Sequence, residues 1–306
     1  MAKNQGGFMI GFVFPGQGSQ YVGMGKDLYD GNDKARGLFE RAEKALGVCI
    51  TDILFNGPQD ELRESKNAQV AILLHSIVCF ELLKEKGVSP ACVSGHSLGE
   101  YSALYAGGVL SFEDVLHIVR FRGELMSEAG KKNPGGMCAV IGLVPDRIEE
   151  IVGKIDGVII ANYNSPSQTV ISGRLDAIDK AYARALELGA KRVIRLQVSG
   201  AFHSPLMESA FEKFGRVLSK IEFRKPEIPV APNVTGKLTE DVSEIKDALA
   251  KQILSPVRWV DCVMAMREYG VSEFIEVGPG KVLRGLIKKI LPDAEITNVE
   301  RLGDID

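Results

Sequence analysis

The sequence lacks the features that mark several protein classes. Its five cysteines, Cys49, Cys79, Cys92, Cys138 and Cys262, are odd in number and far apart. With no C-x-x-C and no Cys/His cluster, a structural zinc site and a disulfide framework are both disfavoured, and no metal is expected. A reducing, cytoplasmic compartment is expected. Long apolar runs are missing too: Phe8–Phe14, interrupted by Gly11, and Val70–Leu74 fall well short of the ~20 residues that cross a bilayer. The amino-terminal patch is too short for a signal h-region and runs into Pro-Gly-Gln-Gly rather than a cleavage site. No membrane partner is therefore expected. Nor is there an excess of one charge. The 37 basic and 40 acidic residues leave a net −3, which gives no reason to expect nucleic-acid binding.

What is present is a globular composition, 45% hydrophobic and 25% charged, with 33 glycines that imply many tight turns or close backbone approaches. A chain of 306 residues fits two domains, or one large domain with an insertion. The pattern predicts a buried strand at Ile10–Phe14 and a helical stretch over Asp27–Leu46. Helical spacing over Gln69–Lys86 is followed by a short strand at Ala91–Gly95 and a helix over Leu98–Ala106. Ser111, with Asp114 three residues on, reads as the N-cap of a helix to about Ala129. Pro134-Gly135-Gly136 reads as a linker. Beyond it come strand 137–143, helix 146–152, strands 158–162 and 168–172, helix 175–188 and strand 192–198. That β-α-β-β-α-β order is the ferredoxin-like pattern. It reads as a small domain, 132–199, inserted into a larger α/β domain made of 1–131 and 200–306. Helices 205–220, 242–252 and 260–269, a strand at 273–277 and a last helix, 281–290, complete the chain.

Gly95-His96-Ser97-Leu98-Gly99 fits G-x-S-x-G, with an apolar strand before it and a helical pattern after it. A sharp strand-to-helix turn exposes the serine Oγ and brings together the residues two before and two after, where glycine fits. The helix N-terminus then lies beside the reacting centre, and the Leu98 N–H is available to a developing oxyanion. The plain alternative is a Gly-rich turn with a capping serine. A serine nucleophile needs a base, and there are four histidines: His75, His96, His117 and His203. His75 and His117 lie inside amphipathic helices. Strand alternation points His96 away from Ser97. His203, in the turn Ser199-Gly-Ala-Phe-His-Ser-Pro, is the candidate base, against a loop histidine that caps a helix. None of the 40 carboxylates is placed by a motif as a third member. Gly16-Gln17-Gly18 follows the first strand, where open α/β sheets bind ligands, although a simple turn is the default reading. It is not a Walker loop. Arg120 and Arg122 lie roughly 200° apart on a helix, so one of them can aim inward; two surface arginines are the alternative.

Taken in order, Phe-Pro-Gly-Gln-Gly-Ser-Gln (14–20), Gly-His-Ser-Leu-Gly-Glu-Tyr-Ser-Ala (95–103), Arg-Gly (122–123), Asn-Tyr-Asn-Ser-Pro (162–166), His203 and Glu-Val-Gly-Pro-Gly (276–280) resemble the malonyl-CoA:acyl carrier protein transacylases of fatty-acid synthesis. The resemblance covers nearly the whole chain. It implies a hydrolase-like α/β domain carrying a ferredoxin-like insertion. It also implies that Ser97 is the nucleophile, that His203 is its base, and that the Leu98 and Gln17 main-chain N–H groups form the oxyanion hole. Arg122 would hold the free malonyl carboxylate. In this family a main-chain carbonyl orients the histidine, and the matching position is Gln252. The implied partners are malonyl-CoA and acyl carrier protein, with no cofactor and a monomeric chain. Phe202, next to His203, falls where related polyketide transacylases pair Phe with malonyl and Ser with methylmalonyl. Alternatively, it only packs under the loop.

Carrier proteins are acidic, so docking calls for a local basic patch. Lys281, Arg284, Lys288 and Lys289 fall largely on one face of the last helix, and Lys191 with Arg192 forms a second candidate; an ordinary solvated helix face is the alternative. Two other classes stay open on the sequence. One is a serine esterase, which would turn over a p-nitrophenyl ester rapidly with no thiol acceptor. The other is a docking subunit with a fossil site.

Overall fold

The apolar run Met9–Phe14 forms the central strand of a five-stranded parallel sheet. The computed structural model describes residues 9–305. Its strands are β1 (Met9–Phe14), β2 (Cys92–Gly95), β3 (Gly135–Ile141), β4 (Val158–Ser165), β5 (Gln168–Arg174), β6 (Arg192–Arg195), β7 (Val230–Ala231), β8 (Val271–Val277) and β9 (Glu295–Val299). The first sheet runs β7-β2-β1-β8-β9, every neighbouring pair parallel. Gly11–Phe14 are all buried, as expected of a parallel strand covered on both faces. The fold is thus mixed α/β: a parallel sheet with helices, and a second sheet, β4-β5-β3-β6, that is antiparallel throughout.

Helix Ser65–Glu85 crosses the centre of the large core. It has the length and mean hydropathy of a membrane span, yet 89% of that apolar window is buried inside the protein, so its hydrophobicity is spent on the core. The second sheet obeys a period of two. Cys138 and Val140 of β3 face helices Pro145–Val152 and Leu175–Glu187 in a separate hydrophobic cluster. The alternate residues, Met137 and Ala139, join the main core. Met137 and Ala139 also supply part of one wall of the cleft described below.

Several elements depart from the sequence reading. The stretch 27–46 is two helices, Lys26–Gly31 and Asp33–Leu46, because the Asn32 side chain caps the second by accepting from the Ala35 N–H at 3.0 Å. Helices Ile50–Asn56 and Gln59–Arg63 and strands β7 and β9 were not anticipated. Gly135 and Gly136 are not a linker; they are paired with Arg174 and Gly173 in the β3–β5 ladder. The stretch 205–220 opens with a 3₁₀ turn, Pro205–Met207, before helix Glu208–Leu218. Strand β6 stops at Arg195. Helix Phe112–Lys132 begins as read, with the Ser111 hydroxyl accepting from the Asp114 N–H at 3.1 Å.

Candidate active site

Ser97 sits between β2 and helix Gly99–Ala106 at φ +51°, in the left-handed region that a serine adopts only when its surroundings hold it there. A Cβ at position 95 would lie 2.0 Å from the Gly99 carbonyl, and one at position 99 would lie 2.0 Å from the Phe14 carbonyl oxygen. Only glycine fits at both. The turn is locked from outside by Asn233, which accepts from the Ser97 N–H at 2.7 Å and donates Nδ2 to the Gly95 carbonyl at 2.7 Å.

His203 comes from the loop after β6, also with a positive φ, of 59°. Its Nε2 is 2.8 Å from Ser97 Oγ. Its Nδ1 lies 3.0 Å from two main-chain carbonyls, Gln252 and Ser255. Since carbonyls only accept, Nδ1 carries the proton and Nε2 presents its lone pair to the serine. Among the described residues no carboxylate contacts this ring. Burial and the Arg122 charge push its pKa down to about 3.

Of the two arginines, Arg122 aims inward and is buried, while Arg120 stays near the surface and pairs with Glu124 at 2.6 Å. Arg122 Nη1 donates to Gln69 Oε1 at 2.7 Å. Its Nη2 donates to Gln252 Oε1 at 3.1 Å and to Ser97 Oγ at 3.2 Å. The guanidinium lies over the Tyr101 ring, 5.2 Å from its centroid. Burial disfavours its charged form.

The Leu98 and Gln17 main-chain N–H groups have no acceptor among the described residues. The Gln17 side chain is tied away, donating to Ser65 Oγ at 3.1 Å. Ser97, His203, Arg122, Gln17 and Phe202 line one cleft of about 260 Å³. The second sheet supplies its apolar wall through Met137, Ala139 and Val170, and the last helix contributes Leu283 and Leu286. Exposed Arg284, Lys288 and Lys289 lie on that helix, Val282–Ile290, and exposed Lys281 is its N-cap residue. Lys191 and Arg192, the first residue of β6, are exposed.

The structure corrects the reading of His96. Position 96 is past the end of β2, where strand alternation no longer applies, and its ring lines the cleft with Nε2 2.8 Å from Asn164 Oδ1. His75 is buried in the core and His117 is exposed; neither lines the cleft. Sequence reasoning missed Asn233, Gln69, the Ser255 carbonyl and the side-chain role of Gln252. It also missed Glu100, fully buried in the first turn after Ser97, although Glu100 stands inside the quoted 95–103 motif. Among the described residues no group of three or more His, Cys, Asp or Glu could hold a metal.

A sequence model of the acyl transferase domain matches residues 11–304. The chain is 44% identical over 285 residues to the malonyl CoA-acyl carrier protein transacylase of Bacillus subtilis (strain 168), covering 92% of this chain and 90% of that one. The chain belongs to the malonyl CoA-acyl carrier protein transacylase family. Solved structures agree. The transacylase of this type from Streptococcus pneumoniae superposes with a TM-score of 0.92 at 40% identity, covering 97% of both chains. A malonyl-transacylase solved in complex with its type II PKS acyl-carrier protein gives 0.94 at 37% identity, again over 97% of both.

Proposed function

We propose that this chain moves a malonyl group from malonyl-CoA to the phosphopantetheine thiol of acyl carrier protein, through an ester on Ser97, to supply fatty-acid synthesis. The observation that carries this is Arg122: a buried guanidinium 3.2 Å from the Ser97 hydroxyl, with only neutral hydrogen-bond partners. Such a fork suits an acyl group that ends in a carboxylate. Ser97 Oγ attacks the thioester carbonyl while His203 Nε2 takes its proton. The oxyanion falls between the Leu98 and Gln17 N–H groups, each worth ~3–4 kcal/mol in such sites. Collapse breaks the C–S bond, and the leaving CoA sulfur takes the proton from His203. The carrier thiol then repeats the exchange in reverse. Thioester, ester and thioester follow one another with no cofactor and no outside energy source.

The strand order β4-β5-β3-β6 supports reading 132–199 as a ferredoxin-like unit set into a hydrolase-like α/β domain of 1–131 and 200–306. We read the chain as a monomer, since one copy supplies every group the reaction uses, and as cytoplasmic, in keeping with its five free cysteines. Phe202, buried at the cleft wall beside His203, supports selection against an α-methyl group. The direct test is to incubate the protein with malonyl-CoA, digest it and map the acylated residue by mass spectrometry. Malonyl on Ser97 is expected; rapid turnover of a p-nitrophenyl ester without a thiol acceptor would favour an esterase instead.

Two predictions belong here. Arg122→Ala is expected to lose malonyl transfer far more than acetyl transfer, because acetyl leaves the guanidinium without its anion already in the wild type. Equal losses for the two acyl groups would remove the carboxylate clamp. Charge reversal at Arg284 and Lys288 is expected to raise the KM for carrier protein and leave that for malonyl-CoA unchanged. If neither moves, the last helix is not the dock.

A further inference from the structure

Glu100 plays no part in the steps above, yet it lies at the base of the site. Its Oε2 accepts from the Asn233 main-chain N–H at 3.0 Å and from Gln252 Nε2 at 2.7 Å. Its Oε1 has no hydrogen-bond partner. Gln252 makes the connection to the reacting groups. The same Nε2 donates to the Ser97 carbonyl at 3.0 Å, and Oε1 accepts from Arg122 Nη2 at 3.1 Å. A carboxylate at one end and a cation at the other therefore dictate which way this amide points.

Arg122 has no direct carboxylate partner among the described residues. Its other hydrogen bonds go to the neutral Gln69 and Ser97, and its Nε has none. An uncompensated guanidinium is costly in a dry site. The one carboxylate in this network is Glu100, a single amide away.

We propose that Glu100 is a specificity-determining residue: it is the internal counter-charge of Arg122 in the empty site, and it gives up that part when the malonyl carboxylate arrives. The proposal rests on the malonyl reading above. In the empty site one buried cation faces one buried anion. The malonyl group brings a second anion, which favours Glu100 taking up a proton. Burial already raises the Glu100 carboxyl to about 7, against its two N–H donors and Arg122, which lower it. The other titratable groups nearby are already neutral. Burial raises Tyr101 and Cys262 and lowers His203. Acetyl brings no anion and leaves Glu100 as it was.

Two measurements test this. In weakly buffered solution at pH 7 with an indicator dye, wild-type protein acylated by malonyl-CoA is expected to take up part of a proton per acylated Ser97, and acetyl-CoA none. Glu100→Gln keeps an acceptor for both N–H donors and removes the charge. It is expected to lower the KM for malonyl-CoA about five- to tenfold, to leave that for acetyl-CoA without a decrease, and to abolish the difference in proton uptake. The change falls on KM rather than kcat, which a merely structural role would not produce. Equal proton uptake for the two acyl groups overturns the proposal, as does a malonyl-CoA KM that is unchanged or raised in the variant. If the variant does not fold, the wild-type dye measurement decides alone. Absence of malonyl from wild-type Ser97 would instead sink the malonyl reading itself; normal acylation of Ser97 without the charge effects would remove only the role of Glu100.

Discussion

Ser97→Ala is expected to take up no malonyl group from malonyl-CoA and to fold normally. Among the described residues the hydroxyl is the group hydrogen-bonded to His203 Nε2, and it also accepts from the Arg122 guanidinium. Alanine leaves the imidazole, the guanidinium and the N–H groups in place and removes the atom that would carry the ester. Loss of the nucleophile from such a constellation costs about 10⁶-fold in rate. The fold has little to lose, because the turn is held by main-chain and Asn233 contacts. The Ser97 N–H still donates to Asn233, and the Ser97 carbonyl still accepts from Gln252. The left-handed φ is borne by serine already and is no harder for alanine. Mass spectrometry after incubation with malonyl-CoA, beside a thermal melt, reads both halves. Acylation of the variant on any serine at the wild-type rate would overturn the assignment.

The parts of this site legible in the sequence are those whose chemistry is local. Gly95, Ser97 and Gly99 lie within five residues, and the steric demand of the turn is written in that spacing. The β-α-β-β-α-β order was legible for a similar reason, since each strand and helix carries its own period. What stayed hidden depends on contacts between distant segments. Glu100 reads as a polar residue on a helix until Asn233, 133 positions away, and Gln252, 152 positions away, close over it. Strand β7 is two residues long, too short for any period to register, yet it brings Asn233 beside the turn. His96 was misread because alternation was extended one residue beyond the strand that justifies it. A search for carboxylates finds no third partner for His203 because the partners are carbonyls, which every residue possesses; the family resemblance points to that of Gln252, and nothing in the sequence marks that of Ser255.

His203→Ala should lose on the order of 10³–10⁶-fold in acylation rate, and its pH behaviour separates a buried base from an ordinary one. An unperturbed histidine titrates near ~6.5, so a rate limited by it would fall about fivefold between about pH 6.5 and 5.5. Here burial and the neighbouring Arg122 charge hold the imidazole down to about 3, so Nε2 remains an acceptor throughout that range. Wild-type acylation should therefore stay nearly flat from pH 8 to 5.5 with respect to this group. Stability should move the other way. The unfolded chain protonates this histidine as pH drops below ~6.5 while the folded chain does not, so stability present above ~6.5 is lost steadily as pH falls toward 3. His75, lowered to about 4, and His96, also lowered by burial, act in the same direction. His203→Ala should consequently reduce, and not abolish, the acid sensitivity of the fold. Denaturant midpoints at pH 7, 6 and 5 for both proteins, together with single-turnover acylation over the same range, read the two effects. A variant acylated within tenfold of wild type would remove His203 from the mechanism. A wild-type rate that drops with a midpoint near 6.5 would mean that the base is exposed to solvent during the reaction and is not held in the buried setting seen here.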